Sequence, residues 1–286
     1  MKNPEVLNPD IVPLRFFARG EHPETSFQED LDAFFFQFGV QRVDMPILTT
    51  DSFSFDFLGL PEYSPVRSDD SVLRFGESVA ADQDIPQDII DIIHRLHQMR
   101  FGLPPRTEGQ DRNMLVSHTT AQLIENLLKN GPREIYTISK TFREKKERRE
   151  KTQVEAVLLD RSLPEIIAFM ERLFSCLSRR QMNLQLFSDF YYFLEPSFSF
   201  STMIGGEARA MGSAGFVRAE VLEVIRKMHP NMSARAIAFV GIPYQKLLNL
   251  RLGERFDDFD IDYNSKGHFF NIISNGPIRF QTTALQ

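Results

Sequence analysis

The chain has 286 residues, 42% apolar and 25% charged, so there is material for a sizeable core in one large domain or two small ones. A formal net charge of −6 excludes nucleic-acid binding through overall charge; any such contact needs a local patch. A lone cysteine, Cys176, excludes an internal disulfide, no apolar run is long enough for a membrane span, and the start has no secretory pattern, so the expectation is a cytoplasmic protein.

Residues 1–21 hold Pro4, Pro9 and Pro13 and read as an irregular arm. From Thr25 to Phe38, the residues Phe27, Leu31, Phe34, Phe35 and Phe38 recur at helical spacing. They predict a helix capped by Thr25 or Ser26 and stopped at Gly39. Val40 to Leu48 reads as a strand interrupted at Pro46, which suits an edge or an interface. The turn-rich SFDFLGLPEYSPVRSDDSVLRF follows, then an insertion over 76–113 with a helix around Ile89 to Met99. His94 and His97 lie one turn apart there; with no third ligand nearby they read as a surface face, and no metal site is expected.

MLVSHTTAQLIENLLKNG predicts a short strand and then an amphipathic helix that starts at His118-Thr119-Thr120 and stops at Gly131. Glu134 to Asp160 predicts a long antiparallel hairpin. Tyr136 and Ile138 alternate with polar residues in its first arm, Val154 to Leu159 form the second, and the charged stretch Glu144 to Thr152 lies between. Arg143 sits where the first arm meets that tip. A guanidinium there offers a planar fork of donors to a phosphate, while the tip alone also fits a plain solvated loop. SLPEIIAFMERLFSCL predicts an apolar helix capped by Ser162 with Pro164 in its first turn, placing Cys176 in the core. DFYYFLEPSFSFSTMI reads as an aromatic strand broken at Glu195-Pro196, RAMGSAGF as a small-residue turn, and EVLEVIRKM as a short helix. ARAIAFVGIPYQKLLNLRLG predicts a strand, Gly241-Ile242-Pro243, and a helix starting at Pro243; the tail with FDDFDIDY is too acidic for a nucleic-acid backbone. Mostly antiparallel strands with helices between them make the fold class α+β.

The ordered pieces resemble the catalytic domain of class II aminoacyl-tRNA synthetases, most of all the phenylalanyl α-subunit type. His22-Pro23 with the Phe-rich helix, FGVQRVDMPIL and SFDFLGLPEYSPVRSDDSV are similar to that family's first motif and the segment after it. VSHTTAQLI is similar to its His-Thr-Ser/Thr strand and helix. The hairpin resembles motif 2, with Arg143 at the motif arginine and Gln153-Val154-Glu155 at Gln-x-Glu. YYFLEPSFSF, AMGSAGFV and AFVGIPYQKLLNLRLG take the places of the aromatic segment, the Gly-rich strand turn and motif 3. The resemblance runs from about His22 to Gly253. It implies a domain over 22–260, between the arm and a tail at 261–286, built on a six-stranded antiparallel sheet.

It further implies ATP with Mg2+ held by Arg143, Lys145 and Lys246, with Arg143 and Lys246 in the catalytic positions. The amino acid, large or aromatic, would lie against His118, Thr120, Gln153, Glu155, Tyr191 and Phe193, in a cavity that Met203 or Met211 could reshape. Its carboxylate would attack the α-phosphate, and the aminoacyl-adenylate would pass to tRNA or another acceptor. A homodimer or a partner subunit is implied, and no membrane. Each side chain also has a plainer reading: the aromatics as core, His118 and Thr120 as a helix cap.

Departures from the family pattern converge on the nucleotide side. Motif 3 reads Gly241-Ile242-Pro243-Tyr244-Gln245-Lys246, so its arginine is Lys246, which lacks the fork, and its second glycine is Pro243, which lacks a donor. Lys145 stands where motif 2 has an acid, and the residue under adenine falls at about Lys151. No segment reads as an anticodon-binding domain or an N-terminal coiled coil. Two functions follow: ATP-dependent activation of an amino acid and transfer to tRNA, or a paralogue that binds an amino acid with adenylation lost or altered, in a regulatory or structural role.

Overall fold

The computed structural model describes residues 23–61, 63–68, 71–74, 112–143 and 149–252, with scattered positions between 88 and 102. His94, His97, the hairpin tip with Lys145, the arm, the tail and most of the insertion lie outside the described residues.

The predicted hairpin is the centre of the fold. β4 (Ile135–Arg143) and β5 (Arg149–Leu159) run antiparallel, from Ile135 opposite Val157 to Arg143 opposite Arg149. β6 (Leu184–Tyr191), β7 (Leu194–Ile204), β8 (Glu207–Val217) and β9 (Ile237–Pro243) complete an antiparallel set. The two-residue β1 (Gln41–Arg42) adds a parallel edge to β4, giving seven strands in the order β1-β4-β5-β9-β8-β7-β6, one more than the six antiparallel strands that the family resemblance implied. β2 (Leu48–Thr50) pairs with β3 (Asn113–Leu115) in a separate small sheet. The Pro46 break therefore splits Val40 to Leu48 between two sheets.

Both faces of the large sheet are covered. Along β5, Val154, Ala156 and Leu158 join the core beneath α1 (Pro23–Gln37) and α3 (Leu163–Ser178). Val157, facing the other way, joins Leu123, Ile124 and Leu127 of α2 (Thr119–Asn130) and Leu222 and Ile225 of α4 (Ala219–Met228). Period-2 alternation thus sends neighbouring β5 residues into two different cores. Along α1 the predicted apolar stripe is buried, Phe38 just past its end is partly buried, and Phe35 stacks on Tyr136 of β4 with centroids 3.9 Å apart. Ser162 and Glu165 form a capping box on α3, and Gly131 ends α2 at φ +81°.

Several expectations need correction. Helix α1 begins at Pro23, so Thr25 and Ser26 lie inside it and do not cap it; proline's fixed φ suits a first turn. The aromatic segment turns at Tyr192-Phe193, and Glu195-Pro196, a cis peptide, lies within β7 where the ladder shifts register and no proline N–H is needed. RAMGSAGF is strand and not turn; the turn is Gly205-Gly206, both at positive φ. Strand β9 runs through to Pro243, and α5 is Tyr244–Leu252. Cys176 is half-buried and only packs against the core, its pKa pushed up to about 11 by burial.

The small residues of β8 serve close approach between strands. A Cβ on Gly212 would stand 2.2 Å from the Gly241 carbonyl oxygen and 2.9 Å from Phe200 Cζ, whereas one on Gly241 would meet nothing nearer than 3.9 Å. Gly212→Ala should therefore cost about 1–3 kcal/mol through overpacking, and Gly241→Ala well under that. Denaturant unfolding of the two variants checks this; equal midpoints would refute the close-approach argument.

Candidate amino-acid and nucleotide site

Strand register builds one wall of the site. Pairing places Thr137, Glu155, Gly241, Ser213, Ser199 and Phe187 in a single row across five interstrand steps, on the face beneath α2. Above this row lies a cavity of about 420 Å³. His118, Thr120, Arg143, Gln153, Glu155, Tyr191, Phe193 and Lys246 all line it, so every candidate side chain among the described residues converges on one space. Met203 is exposed and Met211 is buried in the opposite core, so neither reshapes the cavity.

Glu155 is the buried carboxylate of that wall. Thr120 Oγ1 donates to its Oε1 at 2.6 Å, and Thr119 Oγ1 donates to its Oε2. These hydroxyls come from the first turn of α2, which aims them at β5. Thr119 is a site residue that sequence reasoning passed over. Its neighbours in the triplet drew attention, and only the β5 register shows which hydroxyls reach the acid. No cation is in contact with Glu155 among the described residues, and burial pushes its pKa up to about 7, against the pull of the two hydroxyls.

His118 stands at the helix N-cap without capping it. Its Nε2 donates to the Ser54 carbonyl at 2.9 Å, which leaves Nδ1 as the acceptor of the neutral ring. Burial first, and the charge of Arg143 second, lower its pKa to about 4. The helical turn carrying Ser54 is fixed by ion pairs of Asp51 with Arg74 at 2.8 Å and of Asp56 with Arg67 at 2.6 Å, the latter two side chains 8% and 12% exposed. Arg67 also donates to the Leu60 carbonyl, which holds Leu60 and Val66 over the cavity.

At the open side, Arg143 Nε donates to the Ser117 carbonyl at 3.0 Å, fixing the guanidinium at the strand end as expected. Lys246, on the first turn of α5, is buried, and its Nζ donates to the Ala210 carbonyl at 2.7 Å. Its charge is therefore anchored to β8 while the side chain lines the cavity. Among the described residues, no group of three or more His, Cys, Asp or Glu could hold a metal, and no helix is long and apolar enough to cross a membrane.

Sequence reasoning also missed the polar end of the cavity. Asp189, Ser199 and Ser213 line it beside Tyr191. Only the β6–β7–β8 register brings these residues together, and the misplaced turn hid it.

The family model described as "tRNA synthetases class II core domain (F)" matches residues 7–253. The phenylalanine–tRNA ligase alpha subunit of Methanocaldococcus jannaschii is 25% identical over 248 residues, covering 81% of this chain and 49% of that protein. The chain thus spans about half the length of that relative. Two solved prolyl-tRNA synthetases share the fold. The Cryptosporidium parvum enzyme complexed with halofuginone and AMPPNP has a TM-score of 0.51 at 10% identity, over 80% of this chain and 46% of its own. The Giardia lamblia enzyme in complex with prolyl-adenylate has 0.52 at 12%, over 79% and 45%.

The two shifted groups give opposite pH signatures. Glu155, raised from 4.5 to about 7, makes the folded state bind the extra proton between those values, so its contribution to stability falls as pH rises through that window. His118, lowered from 6.5 to about 4, makes the folded state bind less, so its contribution falls as pH drops from 6.5 to 4. In the wild type the two slopes oppose each other. In Glu155→Gln the first disappears. The variant's stability relative to wild type should climb between pH 4.5 and 7, by no more than about 3 kcal/mol, and level off above. Denaturant unfolding across that range tests it; a constant difference between the two proteins means that Glu155 titrates normally.

Proposed function

The chain belongs to the class II tRNA synthetase core-domain family, and from that premise we propose that it activates an amino acid with ATP for transfer to tRNA. The observation that carries this reading is the placing of Glu155 and Arg143 on one cavity, with no cation touching the carboxylate among the described residues. A zwitterion fits between them. Its ammonium replaces the proton that Glu155 otherwise holds near neutral pH, and its carboxylate lies towards Arg143 and the nucleotide. His118, neutral, and Gln153 and Thr120 orient the backbone of the amino acid, while Phe193 and Tyr191 flank its side chain.

In this reading a carboxylate oxygen of the amino acid attacks the α-phosphorus of ATP. A phosphorus–oxygen bond forms, the bond to pyrophosphate breaks, and the aminoacyl-adenylate and pyrophosphate result. Preorganised cations, rather than a nucleophilic side chain, suit such a step. Arg143 offers the fork for a phosphate, Lys145 is assigned to the nucleotide by the sequence resemblance, and magnesium would accompany the nucleotide. Lys246 lines the same cavity and is bonded to the Ala210 carbonyl of β8. The functional unit is residues 22–260. The relative's designation as an alpha subunit supports a partner subunit, with self-association as the other arrangement, in a cytoplasmic setting.

A second reading is a paralogue that binds the amino acid without adenylation. Pro243 opposite Gln153 and the engagement of Lys246 with a carbonyl favour it, because both fall on the nucleotide side.

Pyrophosphate exchange into ATP, run with each of the twenty amino acids, separates the two. Exchange with at least one amino acid, lost by a factor of about 100 or more in Arg143→Ala, is the expected result. Amino-acid binding in calorimetry with no exchange gives the second reading. Because Lys246 is already bonded to Ala210, Lys246→Arg should not tighten ATP; a tenfold gain would mean the lysine is a degraded phosphate clamp after all.

A further inference from the structure

The far end of the cavity is not built for a phenylalanine ring. Asp189 lines it with a carboxylate that accepts from the Phe190 backbone N–H at 2.8 Å and from the Ser199 hydroxyl. The Tyr191 hydroxyl is in hydrogen-bond contact with Asp189, Ser199 and Ser213. No cation pairs with Asp189 among the described residues. This hydroxyl–carboxylate network lies across the sheet from Glu155, and Gly241 stands between Glu155 and Ser213 in the same row. With no side chain at Gly241, the floor between the two polar ends is open. Glu155 and Ser213 are two strands apart, roughly 10 Å at about 4.8 Å per strand. An amino acid whose ammonium lies on Glu155 needs a long side chain to reach that network.

We infer that the substrate class is an amino acid with a long side chain ending in a hydrogen-bond donor, such as a phenol, carboxamide, guanidinium or ammonium, received by the Asp189–Ser199–Tyr191–Ser213 network. This rests on the amino-acid-pocket reading above and narrows it. An apolar tip would strip water from these groups and return no hydrogen bond. A site of this kind rejects the analogue lacking the donor far more strongly than an apolar pocket rejects one extra methylene. Phe187, Phe193 and Phe239 supply the apolar walls along which the stem of the side chain runs.

The test is calorimetric titration of the full chain with all twenty amino acids, followed by titration of the tightest against its apolar isostere, for example tyrosine against phenylalanine or lysine against norleucine. The donor-tipped member should bind at least tenfold more tightly. Asp189→Asn and, separately, Ser213→Ala should shrink that ratio towards one while changing binding of the apolar isostere less than twofold. Gly241→Ala, which leaves the strands unclashed, should weaken the long ligand by filling the floor. If phenylalanine, leucine or methionine binds tightest, or if neither Asp189→Asn nor Ser213→Ala alters the ratio in correctly folded protein, the inference fails while the amino-acid pocket stands. If no amino acid binds, the pocket reading fails and takes the inference with it.

Discussion

Burying one carboxylate in the middle of a sheet covered on both faces is the constraint from which the site follows. An ionised carboxylate without a partner is costly away from water, and its accessible answers are hydrogen-bond donors, a raised pKa or a bound cation. Glu155 uses the first two: the threonine hydroxyls of α2 satisfy both oxygens, and its pKa is raised to about 7. The third answer is what a ligand ammonium would supply. Helix α2 must start where it does for Thr119 and Thr120 to reach β5, and the helical turn through Ser54 must be clamped by Asp51 and Asp56 for His118 to turn away from the helix end.

The same register explains how the cavity stays open. Side chains on one face of a strand recur every second residue, so the row holding Glu155 is filled by whatever each neighbouring strand carries at that level. The sequence carries glycine and two serines at the levels of β9, β8 and β7. Small residues there leave space above the sheet, while Gly212, one position along from Ser213, lets β8 and β9 approach closely. Glycines that look alike in RAMGSAGF and FVGIP therefore act differently: one admits a neighbouring backbone, the other leaves the floor of the cavity open.

How legible this was depended on whether the information was local. The hairpin, α2, α3 and the helix-breaking glycines were readable because alternation, capping residues and positive-φ glycines act within a few residues. His118, Thr120, Gln153, Glu155 and Arg143 were legible as a set only through resemblance to a family, since nothing local says that α2 and β5 face each other. The polar network at Asp189 was illegible because strand pairing decides it. Pro196 suggested a break, yet β7 continues through it with a shift of register, and the turn lies at Tyr192-Phe193. Thr119 was missed for a related reason: at a helix start two successive hydroxyls can reach one acid across the gap, which spacing along the chain does not reveal.

The departures in motif 3 take on a different meaning once Lys246 is placed. A guanidinium at that position would carry its donors in a rigid plane directed at a phosphate. A lysine ammonium is a compact charge on a bendable stem, and here it reaches back to the Ala210 carbonyl of β8, one strand from β9. In that place it ties the start of α5 to the sheet. Pro243 acts in the same direction, closing β9 opposite Gln153 and handing the chain straight into α5. The two substitutions are therefore coupled parts of one junction, not independent losses. The Glu155 side of the cavity keeps its buried acid and hydroxyls, while under the proposed function nucleotide recognition falls on Arg143. A site arranged this way would hold the amino acid by fixed geometry and the nucleotide largely by charge, so its affinity for nucleotide should be the more salt-sensitive of the two.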